Sequence, residues 1–88
     1  MKKGIKKASG KVVGLEALKG ERVTLFCLNY IYTGTLVEIT PSCVRLDDAA
    51  IVYETGALDD KIWKDAQKLP NQWYVQTGAI ESFGILKP

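Results

Sequence analysis

The segment ERVTLFCLNYIYTGTLVEIT, residues 21–40, contains the pattern that decides the fold. Val23, Leu25 and Cys27 alternate with three other largely apolar residues, which predicts a β-strand covered on both faces. A tight reversal is expected at residues 29–30, where this strand ends. The residues on the two sides of the reversal are therefore predicted to form neighbouring strands.

A glycine interrupts the second of these strands, IYTGTLVEIT, at residues 31–40. Glycine inside a strand marks a sharp bend or a close backbone approach, so Gly34 is predicted to be the point where the sheet bends. Three further strands follow from similar patterns: CVRLDDAAIVYET (43–55), QWYVQ (72–76) and AIESFGIL (79–86). Five strands in so few residues are too few for a sandwich, which favours a small, strongly bent open barrel of the SH3 type.

Two short helices are predicted around these strands. In GLEALKG, residues 14–20, Leu15 and Leu18 share a face and the final glycine suits a helix C-terminus. In ALDDKIWKDAQKLP, residues 57–70, apolar residues recur at spacings of four, four and three, and Pro70 would end the helix. The predicted class is therefore mostly β, with a short N-terminal helix, five strands and a helix inserted between strands three and four.

Length and composition exclude several classes of protein. The 88 residues, with 12 Lys and Arg, 10 Asp and Glu, and no His, are expected to form one domain. Without histidine, no His-based acid/base catalysis or His-ligated metal site is possible. Cys27 and Cys43 form no CxxC pair and are expected to be reduced packing residues. No run approaches the ~20 apolar residues of a membrane span, so we expect a soluble, cytoplasmic protein with no membrane partner.

The positive charge is concentrated at the N-terminus. Residues 1–11 carry five positive charges and no negative one, whereas residues 12–88 carry seven basic and ten acidic residues, or −3. With one large apolar residue, the 1–11 segment is predicted to be a mobile basic arm preceding the barrel domain of residues 12–88. The arm is interpreted either as a set of phosphate contacts or as a solubilising tail. Its lysines are Lys2, Lys3, Lys6, Lys7 and Lys11.

Catalysis is not expected. Asp47–Asp48 and Asp59–Asp60 are adjacent carboxylates, but neighbouring residues on a strand point to opposite sides and do not form an acid/base pair. Cys43 has no histidine to activate it, and no glycine-rich phosphate loop is present. We therefore predict no catalytic residue, no metal ligand and no cofactor.

The motif V-x-L…Y-x-G-x-L resembles the first motif of the Sm and Sm-like (LSm, Hfq-like) superfamily. It is formed by Val23, Leu25, Tyr32, Gly34 and Leu36. The stretch GTLVEITPSCVRL, residues 34–46, has the spacing of the Hfq-like segment that begins at its bend glycine. YVQTGAI, residues 74–80, is similar to the second motif, in which two strands meet at a short turn. The order of one helix and five strands also matches.

The resemblance implies a homo-oligomeric ring of six or seven subunits. In such rings strand four of one subunit pairs with strand five of the next, which removes both open sheet edges. The side chains expected at this subunit interface are Trp73, Tyr74, Val75, Ile80 and Phe83. The alternative for each aromatic residue is packing in the core of its own subunit.

The resemblance also implies a site for single-stranded RNA between two loops, residues 40–42 and 76–78. Family members stack bases on a side chain there and hydrogen-bond the base edges. Carried over by position, the site residues are Thr40, Ser42, Gln76, Thr77 and Gly78. Thr40 stands where the family usually has Asp, Thr77 where it has Arg or Lys, and Gly78 where Hfq-like proteins have His, so phosphate binding there is expected to be weak.

Two aromatic residues remain with alternative interpretations. Phe26 lies near the position at which Hfq-like proteins stack purines on the other face of the ring, or else it packs in the core. Trp63, in the predicted inserted helix, packs on the barrel or a neighbouring subunit, or else is exposed for a partner or a base.

The leading functional hypothesis is an Sm-like, ring-forming protein that binds single-stranded RNA as a non-catalytic chaperone or scaffold. The alternative is an SH3-like small-barrel module for protein–protein assembly without RNA binding. A ring that bridges protein partners is a third possibility. These hypotheses rest on analogy at the level of the fold.

Overall fold

The computed structural model describes residues 13–59 and 62–86, and they form a mostly β domain without an α-helix. The mostly β prediction is therefore confirmed, with six strands instead of five. The strands are β1 (Arg22–Cys27), β2 (Ile31–Ile39), β3 (Cys43–Glu54), β4 (Asp65–Lys68), β5 (Trp73–Gln76) and β6 (Ile80–Gly84). The lysines of the predicted arm lie outside the described residues.

All six strands belong to one antiparallel sheet. The order along the sheet is β4-β3-β2-β1-β6. Strand β5 lies outside this order and pairs with β3. The twelve-residue β3 thus serves two partners on one edge: Cys43–Leu46 pairs with β5, and Ala50–Glu54 pairs with β4. The sheet does not close, because β5 and β6 do not pair with each other.

The pairing of β2 with β3 is irregular at Gly34, where the two backbones lie close together. Thr33 faces Ala50 and Thr35 faces Asp47, so two residues of β3 lie opposite this one glycine. A β-carbon on Gly34 would lie 3.0 Å from the Asp47 carbonyl oxygen and 3.1 Å from the Ala49 Cα. Real β-carbons almost never come so close to backbone, which explains why only glycine fits. The predicted close approach at Gly34 is confirmed.

The core lies on one face of the sheet. It is formed by alternate residues of β1, β2, β3 and β5, each no more than 5 % exposed: Val23, Leu25, Leu36, Val44, Leu46, Ala49 and Val75. The opposite face is covered around Thr24 and Thr33, which are 2 % and 8 % exposed. Thr33 Oγ1 donates a hydrogen bond to the Val23 carbonyl at 3.0 Å, so its burial leaves no hydroxyl unsatisfied. The prediction that β1 is covered on both faces is therefore correct.

The predicted N-terminal helix is not an α-helix. Gly14–Leu18 forms a five-residue 3-10 helix, and Leu15 and Leu18 pack against the core. Gly14 and Gly20 both have positive φ, at 77° and 90°, so the backbone turns at both ends before an α-helical ladder can form.

The helix predicted at residues 57–70 is wrong. Within it Asp65–Lys68 is strand β4, and two members of the predicted apolar face are exposed, Leu58 at 47 % and Ile62 at 86 %. The second half of β3 offers a free edge of backbone N–H and C=O groups, and pairing with it satisfies more of the backbone than one marginal helix face would. Here the tertiary contact overrides the helical spacing.

A carboxylate on the β3 bulge connects three strands. Asp48, at φ 50°, contacts Lys68 of β4 and lies 3.4 Å from Arg22 Nη1 of β1. Arg22 Nη1 also donates to the Asp48 carbonyl oxygen at 3.0 Å. The hydrogen bond and charge of Lys68, followed by the charge of Arg22, lower the pKa of Asp48 below its ordinary value.

Replacing Gly34 with alanine should destabilise the fold by about 1–3 kcal/mol, the usual cost of overpacking a site where backbone must move. Urea unfolding followed by tryptophan fluorescence measures this. Gly84→Ala is the matched control, since a β-carbon there meets nothing within 4 Å. If Gly34→Ala unfolds at the same urea concentration as Gly84→Ala, the close approach of β2 and β3 is not real.

Asp48→Asn should lower the unfolding midpoint at neutral pH, because it removes the charge facing Lys68 and Arg22 while asparagine still tolerates positive φ. A lowered native pKa means that the stabilisation is present above the ordinary Asp pKa of about 3.9 and is lost as the pH falls through the native value. The difference in melting temperature between the two proteins should therefore be constant above about pH 5 and shrink on further acidification. A difference that grows in acid would contradict the assignment.

Candidate nucleic-acid interface

The 40–42 loop is a tight turn held by Thr40. The Thr40 N–H donates to the Cys43 carbonyl at 2.8 Å, and Thr40 Oγ1 accepts hydrogen bonds from the N–H groups of Cys43 at 3.1 Å and Ser42 at 3.3 Å. Its hydroxyl in turn donates to the Cys43 carbonyl at 3.0 Å. Thr40 therefore shapes the turn, and its hydroxyl is already engaged within the chain.

The 76–78 loop is bound directly to this turn. The Thr77 N–H donates to the Ser42 carbonyl at 2.9 Å, and Thr77 Oγ1 donates to the Pro41 carbonyl at 3.0 Å, across 36 positions of sequence. The pairing of Cys43 with Gln76 brings the two loops together, because it places the start of β3 beside the end of β5. The two loops predicted to form one site are thus adjacent.

An open pocket of ≈ 650 Å³ lies at the junction of the two loops. Its lining residues are Ser42, Cys43, Tyr74, Gln76, Thr77 and Gly78. Within the described ranges, no hydrogen bond engages the Ser42 hydroxyl or the Gln76 side-chain amide. The pocket therefore presents the hydroxyl of Ser42 and the amide of Gln76, together with the phenol of Tyr74, and each of these groups can donate and accept hydrogen bonds. Four of the five predicted loop residues line it, and Thr40 supports it from behind.

The pocket lining carries no Lys or Arg, but one cation lies beside it. Arg45 is paired with Tyr74 across the β3–β5 ladder. Arg45 Nη1 donates to Gln72 Oε1 at 2.8 Å, and its Nε lies 3.4 Å from Glu38 Oε1. The latter is an ion-pair distance without hydrogen-bond geometry, and Nε has no hydrogen-bond partner among the described atoms.

Sequence reasoning missed the roles of Tyr74 and Arg45 at this pocket. Tyr74 was predicted as an interface residue, and Arg45 was not singled out. The alternation of side chains along a strand could have indicated the position of Tyr74. Because Val75 points into the core, its neighbours Tyr74 and Gln76 must share the outer face of β5.

The residues predicted for a subunit interface fall into two groups. Trp73 and Phe83 are partly exposed, at 36 % and 39 %, and Tyr74 is exposed at 61 %. Val75 is a core residue, 5 % exposed, and Ile80 is half-buried against the core. The side chain of Val75 is therefore not available to another chain, and this residue could contribute only its backbone to an interface.

The two aromatic residues with open interpretations lie away from the pocket. Phe26 is half-buried on the face of β1 opposite the core residues Val23 and Leu25, and it does not line the pocket. Trp63 is 5 % exposed, and its Nε1 donates to the Leu58 carbonyl at 3.4 Å. Trp63 therefore packs within its own chain, which agrees with the interpretation that it packs on the barrel and not with the one that it is exposed.

The cysteines and acids form no reactive cluster in the described part of the chain. Cys27 and Cys43 are free thiols, and burial raises the pKa of Cys27. Residues 13–59 and 62–86 contain no group of three or more His, Cys, Asp or Glu placed to hold a metal ion.

Neither of the short helical segments in the described residues has the length and apolar character required to cross a bilayer.

Comparisons with models of protein families, with curated proteins and with solved structures found no match. The interpretation of the site therefore rests on its own geometry and on the motifs quoted above.

Thr77→Val should destabilise the domain by about 0.5–1 kcal/mol, because it removes the hydrogen bond to Pro41 while keeping the shape of the side chain. Thermal unfolding monitored by circular dichroism measures the loss. Ser42→Ala is the control, since no described contact engages that hydroxyl, and its melting temperature should match that of the wild type. Equal effects of the two substitutions would show that the Thr77 hydroxyl does not help to hold the loops together.

Proposed function

We propose that this chain is an Sm-like protein that assembles into a ring and binds single-stranded RNA, acting as a non-catalytic chaperone or scaffold. The observation that carries the proposal is the pocket built jointly by the 40–42 and 76–78 loops. These loops are the pair that the Sm-like resemblance implies for base recognition, and Thr77 connects them through two hydrogen bonds.

The positions of the motif residues support the Sm-like assignment. Val23, Leu25 and Leu36 are fully buried, and Gly34 occupies the close approach between β2 and β3. A barrel-like bend requires this arrangement, because the small core is enclosed only if β2 and β3 curve around it. The motif therefore coincides with the residues that shape the sheet.

The open sides of two strands support assembly into a ring. Among the strands of the described residues, β5 pairs only with β3 and β6 only with β1, so each has one unpaired side. Head-to-tail pairing of β5 with β6 of the next subunit would satisfy both edges, and rotation would close the assembly as a hexamer or heptamer. Trp73 and Phe83, both partly exposed, lie on these two strands and would be covered by the contact.

The chemistry of the pocket supports contacts to bases more than to phosphates. Ser42 and Gln76 supply donors and acceptors for a base edge, whereas the lining carries no cation. Sequence-independent affinity for RNA comes mainly from phosphate neutralisation. In this proposal the lysines of residues 1–11 supply that part of the binding, and the pocket orients a base.

The neutral lining also favours one competing function. A small SH3-like barrel used only for protein–protein assembly would need no cation at the loops and would leave aromatic residues exposed, as Tyr30 and Tyr53 are, at 45 % and 54 %. Such a protein would not bind RNA at low salt, so the two functions are separable by experiment.

The expected result in native mass spectrometry is a closed hexamer or heptamer, since closure pairs the open sides of β5 and β6 in every subunit. Fluorescence anisotropy with labelled U-rich and A-rich oligonucleotides should show saturable binding that weakens as salt rises. Deleting residues 1–11 should reduce both the affinity and the salt slope, while the ring remains intact.

A monomer without saturable binding at low salt would overturn the proposal and favour the assembly module. A ring that fails to bind RNA would retain the architecture and reject the RNA function. Unchanged affinity after deletion of residues 1–11 would exclude the lysines as phosphate contacts.

A further inference from the structure

Tyr74 is a large aromatic side chain that the fold leaves in solvent at the wall of the pocket. Its neighbour Val75 fills the core, so alternation along β5 directs Tyr74 and Gln76 to the outer face. Tyr74 is 61 % exposed and lines the pocket together with Gln76. An aromatic ring and an amide therefore stand two residues apart on the same face of one strand.

The ring of Tyr74 is not covered by another aromatic side chain in the described residues. The ring contacts that occur there join Tyr30 to Tyr32 at 6.4 Å and Tyr30 to Tyr53 at 5.8 Å, around the ends of β2 and β3. Arg45, directly opposite Tyr74, directs its guanidinium to Gln72 and Glu38. The face of Tyr74 is thus open to a planar ligand.

Arg45 is a cation whose contacts with Glu38 and Gln72 could be exchanged for a phosphate. The side chain of Glu38, its ionic partner, is 57 % exposed, and exposed ion pairs contribute little. Arg45 Nε is buried and lacks a hydrogen bond, so turning the guanidinium towards a ligand would give this donor an acceptor that it does not have within the domain. A phosphate beside Tyr74 would supply an acceptor, and charge-assisted hydrogen bonds to phosphate are among the stronger ones.

We propose that Tyr74 is the base-stacking residue of this protein, with Gln76 bonding the edge of the stacked base and Arg45 contacting the adjacent phosphate. The ligand is single-stranded RNA, and the inference rests on the function proposed above. The aromatic ring on which a base would stack thus belongs to strand β5. The 40–42 loop contributes Ser42 to the pocket, and a serine side chain cannot stack on a base.

This role is compatible with a ring in which β5 pairs with a neighbouring subunit. Strand pairing uses backbone groups in the plane of the sheet, whereas side chains stand roughly perpendicular to it. Tyr74 can therefore face the pocket while the backbone of β5 pairs with the next chain.

The first test measures binding of fluorescein-labelled U-rich and A-rich oligonucleotides to the full chain by anisotropy. Tyr74→Leu should weaken binding about 10- to 100-fold, since stacking of a base on an aromatic side chain accounts for a change of that size. Tyr74→Phe should bind within about threefold of the wild type, because it keeps the ring. Tyr53→Leu, which removes another exposed tyrosine, should bind like the wild type.

The second test addresses Arg45. Arg45→Gln should reduce the slope of log affinity against log salt by about 0.7, the value for one phosphate contact on a single strand. Lys64→Gln is the matched control, since Lys64 is an exposed cation paired with Glu54 and placed away from the pocket. Its slope should equal that of the wild type.

Folding and assembly of each variant are checked by melting temperature and native mass spectrometry. Ultraviolet crosslinking of the bound RNA, followed by peptide mapping, gives a readout that is independent of affinity and should place the crosslink at residues 73–78. If the wild type binds RNA and Tyr74→Leu binds equally well, or if the crosslink maps elsewhere, this inference is overturned while the proposed function stands. If the wild type binds no RNA, both are overturned.

Discussion

The close approach of β2 and β3 at Gly34 is the constraint on which the rest of the domain depends. Because two residues of β3 lie opposite this one glycine, β3 bulges at Asp48 and changes direction. Its first half then pairs with β5, and its second half with β4. The first pairing places the 76–78 loop beside the 40–42 loop, so the pocket is a consequence of a backbone contact in the middle of the sheet.

The pocket lining carries no cation, and four basic side chains of the domain lie in ion pairs outside that lining. The basic side chains of Arg22, Arg45, Lys64 and Lys68 all lie within ion-pair distance of an acid, and Arg22 and Lys68 share Asp48. These pairs lie at the surface, with the two arginine side chains partly buried, and surface ion pairs contribute little to stability. The two loops themselves are held by neutral groups, Thr40 and Thr77, which bind backbone carbonyls.

Sequence patterns predicted the part of the fold that depends on local alternation. Val23 and Leu25 were correctly placed on one face of a strand, and Gly34 was correctly placed at a close approach, because a strand period and a mid-strand glycine have direct physical meanings. The 57–70 segment was mispredicted, since its helical spacing says nothing of the free edge that β3 offers. The prediction of an N-terminal α-helix was wrong for a different reason. Gly14 and Gly20 have positive φ, and the backbone between them forms only a 3-10 helix.

The site was predictable only as far as chain order and motif spacing reached. The two loops were expected to meet, and the Thr77 hydrogen bonds show that they do. The involvement of Thr40 in its own turn was not predictable, because a hydroxyl in a loop is equally able to bind a ligand or to hydrogen-bond the backbone of the turn.

Strand β4 has a consequence for aggregation. All four of its residues are exposed, with Asp65 and Lys68 at its two ends, and charged edge strands resist further pairing. In the proposed ring, subunits would therefore add at β5 and β6, while the charges of β4 discourage growth of an amyloid-like sheet from that edge.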